Sequence, residues 1–292
     1  MNAHNLFDMS EKTVIITGAA GLLGSQYAEG LSQAGSNVVL ADINYNECKK
    51  LAKNIREKYP LDPLPIKLDI TNKNSIRKGI SIILKKYKKI DVLINNAAFQ
   101  GSVGKDRIVD MVDLPLSQWN KGIAVNLTGM FLMCQEVGKV FLKQKKGVII
   151  NIASTYGMIA ADQRIYGDRG QNSTVYYAAT KSAVLNLTRY LASYWNRTGI
   201  RVNTFSPGGV ENVKTQGKQF IKNYEKKGMP ATFYIHSWEL TPEFMPRLNL
   251  PLKDKFVTYH NLDKAYSRMS QLLKHFEFTS FGRYIAENEM MI

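Results

Sequence analysis

The 292-residue sequence is poor in cysteine and has no hydrophobic run long enough to cross a membrane. Its two cysteines, Cys48 and Cys134, fall on separate predicted helices, with a spacing that suits neither a disulfide framework nor a metal site. No apolar stretch approaches the ~18 residues of a membrane-spanning helix, and residues 1–11 are too polar for a signal peptide. We therefore expect a cytoplasmic protein with no bound metal and no membrane partner.

Internal repeats and low-complexity linkers are absent as well. With 45% hydrophobic residues, the chain can bury a full core as one domain with an appendage. Apolar, β-branched segments alternate with predicted helices through the first two thirds of the chain, near residues 13–17, 37–41, 65–69, 91–95, 147–153 and 200–205. This alternation predicts an α/β fold, a doubly wound parallel sheet with helices on both faces.

The net charge of +15 is concentrated in the first part of the chain. Residues 229–292 hold seven basic and seven acidic residues, so the whole excess lies in residues 1–228. The lysine runs fall at predicted helix ends, where solvation and the helix dipole favour them. A field of this sign attracts anionic cofactors and substrates, but no motif indicates a specific nucleic-acid partner.

A glycine-rich turn follows the first predicted strand, with glycines at positions 18, 21 and 24. Gly18 permits a tight turn, Gly21 allows a pyrophosphate to approach the backbone, and Gly24 allows the next helix to pack closely. That helix begins at Leu22 and Leu23, so its N-terminus faces the anion. Glycines also end strands without any ligand, but strand, glycine turn and helix in this order predict a dinucleotide site.

Asp42 ends the second predicted strand, 18 residues after Gly24. An acidic side chain there accepts hydrogen bonds from both hydroxyls of an adenosine ribose and repels a 2′-phosphate. This favours NAD as the cofactor over NADP. The alternative is that Asp42 caps the helix that starts near Asn44.

Tyr177 and Lys181 are four residues apart on a predicted helix, which places a phenol and an ammonium on one face. A cation beside a phenol stabilises the phenolate, so such a pair can exchange a proton with a substrate hydroxyl or carbonyl. The alternative is a half-buried tyrosine over a solvated lysine. The dinucleotide motif upstream favours the acid/base interpretation.

Together these motifs resemble the short-chain dehydrogenase/reductase family over roughly residues 12–213. The segments similar to the family's signatures are 17–24, Asp69, 95–98, Asn126 within 125–129, Ser154, Tyr177 with Lys181, and 206–210. The resemblance implies a Rossmann-type fold and a nicotinamide cofactor. It implies four catalytic residues, Asn126, Ser154, Tyr177 and Lys181. It implies cofactor contacts from Gly18, Gly21, Leu22, Leu23, Gly24, Asp42, Ile43, Asp69, Ile70, Asn96, Ala97, Ala98, Tyr177, Lys181, Pro207, Gly208 and Val210.

The sequence departs from the family in two places. The glycine spacing is closer to the larger branch that modifies nucleotide sugars, whereas 95–97 and 177–210 resemble single-domain members. Twenty-two residues separate Ser154 from Tyr177, where the family has about a dozen, so the loop 159–174 is enlarged. This loop carries Arg164 and Arg169, which we expect to bind an anionic or sugar-like substrate. The alternative is a solvated surface excursion.

The family pattern fades after Val213, and residues 229–292 hold many aromatic residues without the usual final strand. We therefore expect a catalytic domain over 1–228 and an atypical extension over 229–292 that covers substrate or contacts another subunit. Family members assemble through helices that correspond here to about 117–143 and 175–195. The resemblance implies a homodimer or homotetramer.

The resemblance implies an NAD(H)-dependent oxidoreductase that transfers a hydride to or from a carbinol or carbonyl carbon. The enlarged loop and the segments 176–181 and 206–210 are most similar to enzymes of bacterial surface-sugar pathways, including flagellin modification. We expect a small-molecule substrate that is a sugar or another polar metabolite. The alternatives are a 3-oxoacyl or small-carbonyl reductase, and a catalytically silent scaffold that binds the cofactor.

Overall fold

The computed structural model describes residues 8–101, 110–161, 163 and 173–208, which contain a six-stranded parallel sheet and its helices. The strands are β1 (Thr13–Thr17), β2 (Asn37–Asp42), β3 (Leu64–Lys67), β4 (Val92–Asn95), β5 (Gly147–Ile152) and β6 (Ile200–Phe205). The helices are α1 (Leu22–Gln33), α2 (Tyr45–Lys58), α3 (Lys73–Tyr87), α4 (Leu116–Ile123), α5 (Met130–Gln144) and α6 (Val175–Tyr194). Short 3₁₀ turns cover Met111–Asp113 and Thr155–Gly157.

The strand order is β3-β2-β1-β4-β5-β6, and every neighbouring pair is parallel. The chain builds outward from β1 to β3, and then returns to place β4 on the other side of β1. Connections therefore leave β1 and β4 in opposite directions, and this opens a crevice at the carboxyl ends of these strands. The predicted doubly wound α/β fold is confirmed.

The central strands are apolar throughout because both faces of the sheet are covered. Side chains alternate along β1, so that Ile15 packs into the hydrophobic cluster on one face, and Val14 and Ile16 into the cluster on the other. Cys48 and Cys134 are free thiols in these two clusters. Burial raises the pKa of both thiols to about 12, which leaves them protonated and inert.

The third strand spans Leu64–Lys67, and so ends two residues before the predicted span of 65–69. Pro65 has no backbone N–H to donate, so it suits a strand at the edge of a sheet. β3 is accordingly paired only with β2. Asp69 lies beyond the strand, where its Oδ1 accepts from the Thr71 amide at 2.8 Å and from the Thr71 hydroxyl at 2.7 Å. This local turn replaces the strand end that the sequence predicted.

Helix ends carry the polar residues that the sequence placed there. Asn72 caps α3 by accepting from the amides of Asn74 and Ser75. Lys85 and Lys86 lie in the last turn of the same helix, as predicted for its lysine run.

The helical stretch predicted over 117–143 is divided by a π-helical turn, Ala124–Gly129, between α4 and α5. A side chain at Gly129 would lie 2.7 Å from the Ile70 side chain, so glycine allows this turn to pack against the loop after β3. Such turns occur frequently at functional sites, and Asn126 lies within this one.

The chain divides into two units between Gly228 and Met229. The second unit lies outside the described residues, so the roles expected for 229–292 stay predictions. Among the helices that the structure describes, none is long and apolar enough to cross a membrane.

Candidate active site

The ends of β1 and β4 are joined across the crevice by Thr17. Its Oγ1 accepts from the backbone amides of Asn96 at 3.0 Å and Ala97 at 3.1 Å. The Asn96 side chain in turn donates to the carbonyls of Thr17 at 3.0 Å and Gly18 at 3.1 Å. Sequence reasoning selected Asn96 and Ala97, and it included Thr17 in the segment 17–24 without giving its side chain a role.

Two glycines of the loop after β1 are required by close backbone contacts. Gly18 has φ +65°, and a Cβ there would lie 2.7 Å from the Ala97 Cα. A Cβ on Gly24 would lie 2.1 Å from the Gly18 carbonyl oxygen. The loop is therefore folded back tightly on itself and on the residues that follow β4.

The first helix opens at this loop without a capping side chain. Gly21 is its N-cap and has no side-chain hydrogen bond to the helix, while its own amide donates to the Gly18 carbonyl at 3.1 Å. The first amides of a helix have no partner within the helix, and here they belong to Leu22 and Leu23. A helix N-terminus with free amides behind a glycine loop would fit a pyrophosphate, and the cofactor contacts expected here stay predictions.

Asp42 lies against the glycine loop at the end of β2. Its Oδ2 accepts from the Ala20 amide at 3.1 Å, and its Oδ1 accepts from the Asn44 amide at 2.9 Å. Asn44 caps α2 with its own side chain, so the alternative role of Asp42 as the cap is wrong. Ile43 is exposed beside the carboxylate. Carboxylate lone pairs remain available to a ribose at this edge of the sheet.

Asp69 and Ile70 differ in exposure although they are adjacent. Asp69 is exposed, and its amide donates to the Ser75 hydroxyl at 3.0 Å. Ile70 is buried in the core and packs against the π-helical turn at Gly129. Any contact of Ile70 with a cofactor therefore falls to its backbone.

The ends of β5 and β6 form the opposite side of the crevice. Ser154 is buried just after β5, and its Oγ accepts from the Tyr156 amide at 3.2 Å. The Pro207 carbonyl, after β6, accepts from the Thr155 amide at 3.1 Å. Gly208 follows and is exposed. The remaining predicted contact on this side, Val210, lies outside the described residues.

Lys181 is buried, with 2% of its surface exposed. Its Nζ donates to the Ile152 carbonyl at 2.6 Å and lies 5.5 Å from the centroid of the Tyr177 ring. Burial lowers the pKa of Lys181 to about 8. The alternative of a solvated lysine is therefore wrong, and the ammonium is held between Tyr177 and the end of the strand that precedes Ser154.

Asn126 is fully buried and its side chain is fixed by three hydrogen bonds. Its Oδ1 accepts from the Phe99 amide at 2.6 Å, and its Nδ2 donates to the Phe99 carbonyl at 2.9 Å. The Nδ2 also donates to Thr180 Oγ1 at 3.2 Å, which connects Asn126 to α6 between Tyr177 and Lys181. Sequence reasoning selected Asn126 but missed Phe99 and Thr180, because nothing in the sequence pairs them.

The two ends of the enlarged loop are joined by Gln163. Its side chain donates to the Ser173 carbonyl at 3.1 Å and accepts from the Ser173 amide at 2.9 Å. The two predicted substrate ligands, Arg164 and Arg169, lie outside the described residues. Across the described ranges, no cluster of three histidine, cysteine or acidic side chains could hold a metal.

A family model described as short chain dehydrogenase matches residues 12–223. The chain belongs to this family. A second model, a domain of unknown function (DUF3473), matches residues 215–286.

Proteins similar to this chain align with most of the region that the family model matches. An NAD-dependent glycerol dehydrogenase from Listeria innocua serovar 6a is 36% identical over 201 residues, which is 69% of this chain and 71% of the relative. A post-translational flagellin modification protein A from Campylobacter coli is 31% identical over 226 residues, covering 76% and 86%. A solved structure of NAD⁺-bound xylitol dehydrogenase is 26% identical, with a TM-score of 0.61 over 75% of this chain and 76% of that chain. The chain is thus a short-chain dehydrogenase/reductase, and two of these three similar proteins are named as dehydrogenases.

Proposed function

We propose that this protein is an NAD(H)-dependent oxidoreductase acting on a carbinol or carbonyl carbon of a sugar, a polyol or a similar polar metabolite. The observation that carries the proposal is the position of Lys181. Its buried ammonium lies beside the Tyr177 ring and is bonded to the end of β5, next to Ser154. A buried cation next to a phenol is an arrangement suited to proton transfer.

The residues of the chain divide the chemistry among them. A bound nicotinamide would supply the hydride acceptor or donor. Tyr177 takes the proton from a substrate hydroxyl in oxidation, or gives it to a carbonyl oxygen in reduction. Lys181 stabilises the phenolate, and Ser154 orients the substrate oxygen by a hydrogen bond. Asn126 would fix a water molecule that links Lys181 to solvent.

We propose NAD rather than NADP as the cofactor, on the strength of Asp42. Its carboxylate accepts from the Ala20 amide of the glycine loop and from the Asn44 amide, and there it would accept from ribose hydroxyls and repel a 2′-phosphate. The predicted contacts from 96–98 and 207–208 lie at the same carboxyl edge of the sheet. Fluorescence titration with NADH and NADPH tests the preference. Tighter binding of NADPH would overturn it, and Asp42→Ala should narrow the gap between the two cofactors.

The polar substrate class is supported by the names of the relatives and by the composition of the enlarged loop. Two of the relatives are named for polyols, and a third for flagellin modification. Arg164 and Arg169 remain our candidates for contacts with an anionic or sugar-like group. Alanine at either position should raise KM and leave NADH affinity unchanged.

Two alternative functions give different results in one screen. Polyols, free sugars and activated sugars are offered with NAD, and 3-oxoacyl thioesters and small ketones with NADH, while the absorbance of reduced nicotinamide is followed. Turnover of a polyol or sugar supports the proposal. Turnover restricted to thioesters or ketones indicates a 3-oxoacyl or small-carbonyl reductase. Binding of NADH without any turnover indicates a scaffold.

We further propose that the protein is a homodimer in the cytoplasm, where NAD is available. Tyr190 and Tyr194 stack at 5.8 Å on the outer face of α6 and are 63% and 68% exposed. Phe131 on α5 is also exposed. Aromatic residues on a helix surface favour burial against another subunit. A tetramer, and a role of 229–292 in covering substrate or contacting a subunit, are extensions of this proposal, and a chain ending at Gly228 tests both.

A further inference from the structure

Helix α6 is hydrogen-bonded to the sheet through the buried side chain of Thr188. Thr188 Oγ1 accepts from Asn151 Nδ2 at 2.9 Å and donates to the Val184 carbonyl at 2.9 Å. Asn151 in turn accepts from the Asn95 side chain at 2.9 Å. A hydrogen-bonded chain therefore runs from β4 through β5 to the backbone of α6.

A second threonine whose hydroxyl is bonded to a buried asparagine lies eight residues earlier, at Thr180. Thr180 Oγ1 accepts from Asn126 Nδ2, and its single hydroxyl hydrogen is shared between the carbonyls of Tyr176 at 2.6 Å and Tyr177 at 3.0 Å. Eight residues are about two helical turns, so Thr180 and Thr188 share one face of α6. The difference between them is position, because Thr180 lies between Tyr177 and Lys181.

With the hydrogen bond to Thr180, both side-chain N–H groups of Asn126 have acceptors. An amide group has two N–H donors, and those of Asn126 go to the Phe99 carbonyl and to Thr180. The Asn126 side chain therefore connects Phe99, in the loop after β4, to Thr180 on α6. We call the hydrogen-bonded pair of Phe99 and Asn126 the Phe99–Asn126 bracket. Since each hydrogen bond in such a chain polarises the next, the ends of the chain are coupled.

The Phe99 end of the bracket is held by aromatic packing. The Phe99 and Tyr176 rings stack at 5.7 Å with 15° between their planes, and Lys121 Nζ lies 4.5 Å from the centroid of the Phe99 ring. Tyr176 is fully buried beside Gly122, where a Cβ would lie 2.4 Å from the Tyr176 ring. The Phe99 ring, whose backbone is bonded to Asn126, is therefore in contact with both Tyr176 and Lys121.

We propose that Thr180 is a positioning residue for the acid/base pair, which rests on the proposed function of Tyr177 and Lys181. Its hydroxyl transmits the position of the Phe99–Asn126 bracket to the backbone of the first turn of α6. Tyr177 lies in that turn, and Lys181 lies one turn later on the same face of the helix. Thr188, two turns later among core residues, makes the corresponding bonds to a buried asparagine and to the carbonyl four residues earlier, and we expect it to have only a structural role.

The matched variants are Thr180→Val and Thr188→Val, since each keeps the side-chain shape and removes one threonine hydroxyl bonded to a buried asparagine. Thr180→Ser restores the hydroxyl. For each, kcat, KM and the pH profile of kcat are measured with NAD and the substrate identified by the screen. The affinity for NADH, the urea midpoint of unfolding and the hydrogen-exchange rate of the Phe99 amide are measured without substrate.

We expect both valine variants to unfold at lower urea concentration. Thr180→Val should also lower kcat roughly 10- to 100-fold at unchanged NADH affinity, since small displacements of reacting groups have effects of this size. Its pH profile should shift and its Phe99 amide should exchange faster. Thr188→Val should retain the wild-type kcat, pH profile and Phe99 exchange, and Thr180→Ser should recover the rate.

Equal effects of the two valine variants on kcat and pH profile would overturn the inference, and so would wild-type Phe99 exchange in Thr180→Val. These failures leave the proposed function intact whenever the wild-type protein turns over substrate and Tyr177→Phe does not. Absence of turnover in the wild-type protein would instead contradict the proposed function. In that case the exchange of the Phe99 amide decides whether the bracket exists.

Discussion

At the scale of single residues, the site depends on groups that are buried where water would otherwise stabilise them. Lys181 has one hydrogen bond to a backbone carbonyl, and burial lowers its pKa from 10.5 to about 8. At neutral pH it is still largely an ammonium, as the proposed proton transfer requires. The fold therefore holds this charge at a cost in stability.

The cost of burying Lys181 predicts that Lys181→Met is more stable than wild type at pH 7 although it is inactive. A pKa lowered by this amount corresponds to on the order of 3 kcal/mol, and the lost hydrogen bond to Ile152 offsets about 1–2 kcal/mol. The folded state releases the Lys181 proton at lower pH than the unfolded chain. Wild-type stability therefore rises between pH 8 and 10.5, and the advantage of the variant should shrink there.

Urea unfolding at pH 7 and at pH 10 measures this difference. Lys143→Met, at an exposed position on α5, is the control and should show no such pH dependence. A Lys181→Met protein that is less stable than wild type at pH 7, with a constant difference across the range, would contradict the assigned burial cost.

Single residues also show how far the sequence could predict the site. Asn126, Tyr177 and Lys181 could be selected because their spacing matches a known signature. Phe99 and Thr180 could not, since their importance comes from a hydrogen bond between positions 54 residues apart and from a backbone amide. Backbone contacts leave no mark on residue type, and a buried threonine in a helix is common.

At the scale of elements, the junction of β1 and α1 leaves no space for a larger residue at Gly24. We predict that Gly24→Ala lowers stability by more than about 2 kcal/mol and weakens NADH binding, because its Cβ would overlap the Gly18 carbonyl. Gly30→Ala in the same helix is the control. A Cβ there meets nothing within 4 Å, so helix propensity should raise stability by about 0.5–1 kcal/mol.

Urea midpoints and NADH titration of both glycine variants provide the measurement. Equal stability of Gly24→Ala and Gly30→Ala would show that the loop can relax, and that Gly24 is not required by the contact we describe. Such glycine requirements were predictable from spacing alone, whereas the shorter β3 was not. Its end depends on a turn at Asp69 that the strand-like sequence conceals.

Glu136 joins α3 to α5 through charge, since it is 6% exposed and paired with Lys73, Arg77 and Lys139. Burial alone would raise the pKa of Glu136, but hydrogen bonds from Lys139 and Arg77 outweigh it and lower the pKa to about 2. The stabilisation is therefore present above pH 4.5 and is lost as the pH falls through 2.

We predict that Glu136→Gln is less stable than wild type at pH 6, by on the order of 1 kcal/mol, because all three cations are 40–53% exposed and screened by solvent. The difference should disappear as the pH falls from 4.5 to 2. Thermal unfolding of both proteins across this range checks it. A difference that persists at pH 2 would assign the effect to packing instead of charge.

At the scale of the whole molecule, the exposed aromatic pair on α6 predicts self-association through a surface that includes the helix of the active site. We predict that Tyr194→Glu converts a dimer to a monomer by burying an unpaired charge in the contact. Ile82→Glu, on the exposed surface of α3, is the control and should remain dimeric. Light scattering of the two variants and the wild type measures the mass, and a dimeric Tyr194→Glu would place the contact elsewhere.

As proposed, this member of the short-chain dehydrogenase family transfers hydride with Tyr177 as the acid/base group. The most direct measurement compares wild type and Tyr177→Phe for NAD reduction with polyols and sugars, alongside NADH affinity. We predict turnover by the wild type, a loss of roughly 10²- to 10⁴-fold in kcat for the variant, and nearly unchanged NADH binding. Full turnover by Tyr177→Phe on a substrate of the wild-type protein would show that Tyr177 is not the acid/base group.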